Sequence, residues 1–171
     1  VDEVRRTVHT SVALALAAGV AVMVLGVLLS QPLLAAMGTP TEVMDYAVTY
    51  LRIYFLGSIA SFLYNIGSSI LRAVGDSKRP LYFLIAACLT NIVLDLLFVV
   101  VLGLEVFGVA LATVLSQVVS AVLVMIVLCH PGSIFFLKWR EIRFHGDILK
   151  SVVRIGLPTG LQSDMYTLSN I

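Results

Sequence analysis

The chain has 171 residues, of which 60% are hydrophobic and only 12% are charged, and its mean hydropathy is +1.04. Soluble domains are roughly 45–50% apolar and about 25% charged, and a soluble helical core would need a charged shell that this composition does not supply. The composition therefore excludes an ordinary soluble domain and predicts an all-α membrane protein. The net charge of +1 gives no indication of nucleic-acid or acidic partners.

Long apolar stretches predict the membrane-spanning helices in chain order. About 20 residues at 1.5 Å each cross a bilayer, and no Asp, Glu, Lys or Arg occurs between Arg6 and Glu42. An interfacial stretch with Tyr46, Tyr50 and Tyr54 precedes the second predicted span. The predicted spans are residues 12–34, 53–71, 81–102 and 107–128, and a fifth span begins near residue 151.

The ends of the sequence and its loops predict the domain organisation. The chain begins at Val1 and stops at Ile171 partway through an apolar run, so we expect an internal piece of a longer protein. We predict that residues 1–130 hold transmembrane helices, that residues 131–150 form a linker, and that residues 151–171 begin a further helix that is cut short.

Positive charge lies on one side of the predicted membrane. Arg52 is the single exception among the 11 Lys and Arg residues. Because cytoplasmic loops carry an excess of Lys and Arg, we predict that residues 1–8, 73–79 and 131–150 are cytoplasmic. Within residues 138–150, Trp139 and Ile142 interleave with basic residues, which is typical of an interfacial amphipathic helix. That pattern favours a loop resting on the lipid headgroups over the alternative, a nucleic-acid-binding patch.

The two cysteines give no support to a metal site or a disulfide. Cys88 and Cys129 show no CxxC pattern and no accompanying histidine spacing. We therefore predict two thiols packed as small apolar groups, and no metal centre or cofactor is expected from them.

Asp95 is the only charged residue between Pro80 and Leu104, and Asn91 precedes it by one helical turn. Residues at i and i+4 share one helix face, so the Asn91 amide is placed to donate a hydrogen bond to the carboxylate. An ionised aspartate at the centre of a membrane helix costs about 2.5–3.5 kcal/mol on insertion scales. Asp95 is therefore predicted to face the bundle interior or a water-filled cavity, where desolvation favours its protonated form.

The short turn near Glu105 sets the relative heights of the third and fourth spans. In an antiparallel pair joined there, Thr113, Ser116 and Gln117 lie within about a turn of Asp95 in height and share one face. We predict that these side chains converge with Asn91 and Asp95 on one polar pocket that serves a proton or sodium relay. The alternative is a permanently protonated Asp95 that makes an interhelical hydrogen bond worth about 1 kcal/mol.

Small residues recur at every fourth position of the fourth span. They are Gly108, Ala112, Ser116 and Ser120. Such a stripe lets another helix backbone approach closely, so we predict a packing role for it.

Four stretches together resemble the multidrug and toxic-compound extrusion family, in order and in spacing. They are RAVGDSKRPLY (residues 72–82), NIVLD (91–95), FGVALATVLSQ (107–117) and RIGLPTGLQ (154–162). The resemblance implies the third to sixth helices and the start of the seventh in a twelve-helix transporter of two six-helix lobes. Residues 1–130 would then belong to the first lobe, residues 131–150 would link the lobes, and residues 151–171 would open the second lobe.

The same resemblance implies a cation site in the first lobe. Asn91, Asp95 and Thr113 match the family's Asn and Asp on the fifth helix and its Thr on the sixth. The family's first-helix Asp has no counterpart in this chain. In the second lobe, Tyr166 stands where some members carry a Glu, and the nearby acid is Asp164. We therefore transfer no second-lobe site, and the role of Asp164 is left open.

The implied activity is a cation-coupled antiport that exports bulky, often cationic organic compounds, with no enzymatic step and no cofactor. The expected partners are these substrates, protons or sodium, the lipid bilayer of the plasma or inner membrane, and the remaining helices of the parent transporter. A lipid-linked saccharide flippase of the wider superfamily is the alternative within transport, although it would lack the Asn91 and Asp95 pair. A non-transporting structural subunit is a further alternative. An intramembrane protease is disfavoured because only one aspartate is firmly placed within the membrane.

Overall fold

The computed structural model of the chain describes residues 2–130 and, beyond them, scattered helical positions between residues 146 and 165. Within residues 2–130 five α-helices and one π-helical segment follow each other. They are α1 (Asp2–Ala36), α2 (Thr41–Leu56), α3 (Ser58–Ala73), α4 (Lys78–Asp95), the π-helical segment Leu96–Val101, and α5 (Glu105–Leu128). The predicted all-α fold class is confirmed for the part of the chain that the structure describes.

Within residues 2–130 the helices agree with the predicted spans only in part. Three stretches are long and apolar enough to cross a membrane, namely Val4–Ala36, Lys78–Val101 and Glu105–Leu128, and a fourth results if the bent pair of α2 and α3 counts as one span. The first and fourth predicted spans each fall within one of these stretches, and the third, residues 81–102, ends one residue beyond Val101. Residues 131–145 of the predicted linker (131–150) and most of the predicted fifth span lie outside the described residues.

The predicted start of the second span, at residue 53, is wrong. The helix α2 already begins at Thr41, and Tyr46, Tyr50 and Tyr54, which were predicted to lie in an interfacial stretch before the span, lie within this helix. The helices α2 and α3 meet at Gly57 with a bend of 43°. At the bend, the Gly57 N–H donates to the Tyr54 carbonyl at 3.0 Å, which tightens the last turn of α2. A Cβ atom at position 57 would lie only 3.0 Å from a methyl group of Val114 on α5. Glycine thus lets α5 pack directly against the bend.

The connection between α4 and α5 departs from regular helix immediately after Asp95. The π-helical segment closes with the Leu102 N–H donating to the Leu97 carbonyl at 3.0 Å. Gly103 and Glu105 then adopt positive φ values of 62° and 45°. Positive φ is easy for glycine and strained for glutamate, so the turn that reverses the chain is tight and α5 starts directly from it.

The helix α5 lies at the centre of the described part of the chain and packs on α2, α3 and α4, while α1 packs on α2 and α3. Near one end of the bundle an apolar cluster joins α1, α3 and α5. It consists of Val8, Val12, Leu71, Val124, Met125 and Leu128. The stripe of small residues on α5 is buried at all four positions, in agreement with its predicted packing role.

Candidate functional site

Asp95 occupies the last position of α4, and Asn91 lies one turn before it. The Oδ1 atom of Asp95 and the Nδ2 atom of Asn91 are both shielded from solvent, and neither has a hydrogen-bond partner. The predicted hydrogen bond from the Asn91 amide to the Asp95 carboxylate is therefore not formed. Leaving a buried polar group unpaired costs about 1–3 kcal/mol, and more for a charged group. The Oδ1 atom of Asp95 is an acceptor that a proton, a cation or a water molecule would satisfy, whereas the Nδ2 atom of Asn91 is a donor that needs an acceptor such as a water oxygen.

A pocket of about 230 Å³ lies between α3, α4 and α5, beside Asn91. Four of the residues predicted to converge line it, namely Asn91, Thr113, Ser116 and Gln117. Asp95 is not one of its lining residues and lies one helical turn further along α4 than Asn91. The structure therefore brings the four side chains together, and it places the carboxylate beyond one end of their pocket.

The hydroxyl groups on α5 make the pocket wall rich in hydrogen-bond acceptors. Thr113 Oγ1 donates to the Val109 carbonyl at 2.9 Å, and Ser116 Oγ donates to the Thr113 carbonyl at 2.8 Å. Ser120 Oγ likewise donates to the Gln117 carbonyl at 2.8 Å. Each hydroxyl has one hydrogen and two acceptor lone pairs. Because every hydrogen is committed to the backbone of α5, the oxygens offer the pocket acceptors only.

This arrangement changes the role predicted for Thr113. Its single hydroxyl hydrogen bonds to the backbone, so Thr113 does not donate to Asp95 in this conformation. Its oxygen remains able to accept a hydrogen bond or to coordinate a cation. Within the described residues, no group of three or more His, Cys, Asp or Glu side chains could hold a metal ion. Asp164 and Tyr166 lie outside the described residues.

Several lining residues were not predicted from the sequence. They are Ser61 and Tyr64 on α3, Leu84, Ala87 and Cys88 on α4, and Ser120 on α5. Cys88 and Leu84 precede Asn91 at helical spacing, so a face analysis of α4 would have found them. The two residues on α3 carried no such signal, because the bend at Gly57 decides how α3 faces the other helices.

The apolar spans define a multi-pass helical membrane protein. Residues 1–97 match the family model described as MatE. The chain belongs to this family, and the resemblance inferred from its sequence motifs is confirmed.

The comparisons with individual proteins agree with this assignment. The chain is 37% identical to "Probable multidrug resistance protein YpnP" of Bacillus subtilis (strain 168), over 83% of the chain and 32% of that relative. It is 31% identical to "Probable multidrug resistance protein YoeA" of the same organism, over 99% of the chain and 38% of that relative. The chain thus spans 32% and 38% of the length of these two relatives.

The structure is also similar to a solved structure described as the outward-facing conformation of a multidrug resistance MATE family transporter of the MOP superfamily. The TM-score is 0.82 at 30% sequence identity, and the match covers 92% of this chain and 35% of that one. The helices of this chain are therefore arranged as in part of a transporter of the same family.

Proposed function

We propose that this chain forms part of a longer transporter that exports bulky, often cationic organic compounds in exchange for protons or sodium ions. Membership of the MatE family supports this proposal, as do the relatives named for multidrug resistance. The proposed process makes and breaks no covalent bond and needs no cofactor. Substrate and cation bind in turn while the two lobes of the transporter switch between arrangements open to opposite sides of the membrane.

Asp95 carries the cation coupling in this proposal. The observation behind it is the buried, unpaired Oδ1 atom of Asp95 one turn from the unpaired Nδ2 atom of Asn91. A proton on the carboxyl group would remove its charge, and a sodium ion would supply the missing positive partner. For sodium, Thr113 would contribute its oxygen as a further ligand, since hard cations take oxygen donors. Ser116 and Gln117 extend the polar wall on the same helix.

Coupling requires that Asp95 meets different surroundings in the two arrangements of the transporter. A ligand shifts a conformational equilibrium only by the difference in its affinity for the two states. In the arrangement described, the Oδ1 atom of Asp95 has no hydrogen-bond partner, and a bound proton or cation would supply one. We propose that the other arrangement gives Asp95 water or a hydrogen-bond donor, which releases the cation and completes the exchange.

We further propose that the parent protein lies in the plasma or inner membrane with residues 1–8, 73–79 and 131–150 in the cytoplasm. The asymmetry of Lys and Arg supports this orientation. Residues 1–130 would belong to the first lobe, residues 131–150 to the linker between the lobes, and residues 151–171 to the second lobe. Helices outside this chain would complete both lobes.

The decisive experiment replaces Asp95 with asparagine in the full-length transporter, reconstituted in vesicles under an imposed proton or sodium gradient. Asp95→Asn keeps the side-chain volume and removes the titrating group, so we expect normal folding and the loss of gradient-driven efflux. Asp45→Asn, at an exposed position on α2, is the matched control and should retain efflux. Efflux at the wild-type rate by Asp95→Asn would show that the coupling site lies elsewhere.

A further inference from the structure

Arg52 is the only Lys or Arg between Arg6 and Arg72, and it lies in α2, within the bent pair of helices that counts as one span. Its Nε atom donates a hydrogen bond to Ser30 Oγ on α1 at 3.3 Å. Among the described residues, Ser30 is the only partner of this side chain, and no acid pairs with it. A charge within a membrane span is costly unless another charged or polar group compensates it. Because a neutral hydroxyl group supplies no negative charge, the guanidinium group of Arg52 needs an anion from its surroundings.

Ser30 holds this guanidinium group in place between α1 and α2. Ser30 is completely buried, and its hydroxyl group donates to the Val27 carbonyl at 3.0 Å, so its oxygen is left to accept from Arg52. One turn closer to the middle of α1, the ring of Phe55 packs against Gly26, where a Cβ atom would lie only 2.2 Å from the ring. An arginine side chain has five N–H donors, and Arg52 is exposed. The edge formed by its two Nη atoms therefore stays available to a ligand.

The site lies near the height of the lipid headgroups. The apolar stretch Val4–Ala36 has 33 residues and is about 50 Å long, whereas the hydrocarbon core of a bilayer is about 30 Å thick. A centred helix extends past the core by about 10 Å at each end, and Ser30 lies about 9 Å from the end at Ala36. Tyr46 and Tyr54 of α2 are 56% and 42% exposed, as in the aromatic belt of a membrane interface. Lipid phosphate groups are the anions that a bilayer supplies at this height.

We propose that Arg52 binds the phosphate group of an anionic lipid beside α1 and α2, with Ser30 as the residue that positions the guanidinium group. Guanidinium and phosphate match in shape, since two parallel N–H groups can donate to two phosphate oxygens. The lipid belongs to the leaflet at the Ala36 end of α1, which is the outer leaflet in the proposed orientation. This lipid site is separate from the cation site at Asp95 and goes beyond the proposed transport.

Photo-cross-linking in the full-length transporter tests this site. The transporter is reconstituted in phosphatidylcholine vesicles with a trace of phosphatidylglycerol that carries a photoactivatable diazirine next to its phosphate group, and labelled peptides are identified by mass spectrometry. We expect residues 27–56 to be labelled about fivefold more than by phosphatidylcholine with the same diazirine, because the choline group competes with Arg52 for the phosphate. Arg52→Gln should remove this excess. Arg52→Lys keeps the charge without the paired N–H groups and should retain about half of the excess.

Two serines that each accept a hydrogen bond from an arginine provide matched variants. Ser30→Ala removes the buried hydroxyl group that holds Arg52, and we expect labelling of residues 27–56 to fall about two- to threefold. Ser69→Ala removes the hydroxyl group that accepts from Arg72 Nη2 at 3.3 Å on the exposed surface of α3. This control variant should leave the labelling of residues 27–56 unchanged. An equal fall in both alanine variants would contradict a positioning role of Ser30.

The loop of residues 73–79 is an internal control, because its labelling should be the same in the wild type and in Arg52→Gln. Unchanged labelling of residues 27–56 in Arg52→Gln would overturn the proposal, and so would an equal loss at residues 73–79. Equal labelling of residues 27–56 by the two lipids in the wild type would also overturn it, by showing that another group neutralises Arg52.

A competition experiment on the wild type keeps the proposal testable even if Arg52→Gln fails to accumulate. Unlabelled phosphatidylglycerol should displace the label from residues 27–56, and inorganic phosphate should not. Displacement by inorganic phosphate would show a site for free anions and would refute a lipid site. Asp95→Asn should leave this labelling unchanged, so the lipid site and the proposed coupling site are tested separately.

Discussion

The helices α4 and α5 are alike in apolar character and pack on each other, yet they differ sharply in burial. Of the most apolar part of each span, 39% is buried for α5 and 6% for the span formed by α4 and its π-helical extension. The helix α5 contacts α2, α3 and α4, whereas α4 packs mainly on α5. The difference shows that similar apolar helices occupy a central and a peripheral place in the described part of the chain.

Asp95 lies on the peripheral helix α4, whereas the larger buried surface lies on the central helix α5. Large apolar side chains of α4, such as Leu89, Ile92 and Val93, are more than half exposed and face away from the other described helices. This surface is available to lipid or to further helices of the transporter. Substitutions on α4 should therefore change transport more than stability, and substitutions on the buried face of α5 should change stability more than transport.

The largest expected effect is a loss of protein stability caused by a substitution on the buried face of α5. Ala112 is completely buried, so Ala112→Leu forces extra methylene groups into a filled interface. We expect a loss of about 1–3 kcal/mol in the free energy of unfolding, or failure to accumulate. Val93→Leu, at a position of α4 that is 62% exposed, should stay within about 0.5 kcal/mol. The yield and the thermal unfolding of the full-length transporter in detergent measure the effect of each variant. Equal losses of stability in Ala112→Leu and Val93→Leu would contradict the inferred difference in burial between α5 and α4.

A smaller difference in stability is expected between substitutions on the two sides of α5, one of which faces α3 and the other the π-helical segment after α4. A Cβ atom at Gly67 on α3 would lie 2.8 and 2.9 Å from the two methyl groups of Val124, which is fully buried and branched at Cβ. A Cβ atom at Gly108 would lie 3.0 Å from the nearest atom, Phe98 Cβ in the π-helical segment. Alanine gains about 0.5–1 kcal/mol of helix propensity at either site.

We therefore expect Gly67→Ala to be net destabilising by about 1 kcal/mol, and Gly108→Ala to be close to neutral. Thermal unfolding of the two variants decides between them. A larger loss for Gly108→Ala would mean that α5 is held more tightly by α4 than by α3, contrary to the burial of the two helices.

Removing Asn91 or Thr113, the polar residues that we propose act with Asp95, should weaken coupling less than removing Asp95 itself. Asn91→Ala and Thr113→Ala each delete one polar group and leave the carboxyl group, so we expect gradient-driven efflux to fall several-fold without being abolished. Thr113→Ser retains the oxygen and should restore most of the rate. Efflux assays in reconstituted vesicles test this, and a wild-type rate in both alanine variants would remove Asn91 and Thr113 from the site.

The substitutions with the smallest expected effect test the orientation of α2 and α4 in the membrane. Single cysteines at Thr41, at the start of α2, and at Ser77, before α4, should leave transport unchanged. The cysteine at position 41 should react with an impermeant reagent from outside, and the one at position 77 only from the cytoplasm. Labelling of both positions from the same side would contradict the proposed orientation of the chain in the membrane.

Within residues 2–130, the sequence by itself determined the apolar stretches, the isolated acid and which polar residues of α4 and α5 could meet. Apolar length and charge are one-dimensional properties, and a short turn fixes the register of the two helices that it joins. Asn91, Thr113, Ser116 and Gln117 could therefore be predicted to meet. For the same reason, the ends of the predicted third and fourth spans lie within a few residues of the helix ends in the structure.

Only the tertiary structure decided the bend at Gly57, the π-helical segment after Asp95 and the third wall of the pocket. The bend depends on α5 approaching the Gly57 backbone, and no local pattern encodes a neighbour from a distant part of the chain. Once bent, α3 brings the Tyr64 hydroxyl to the Pro80 carbonyl, and Ser61 and Tyr64 form the third wall of the pocket. The unpaired atoms of Asn91 and Asp95 also depend on this arrangement, because residue spacing shows which groups can meet and the packing of whole helices determines which of them bond.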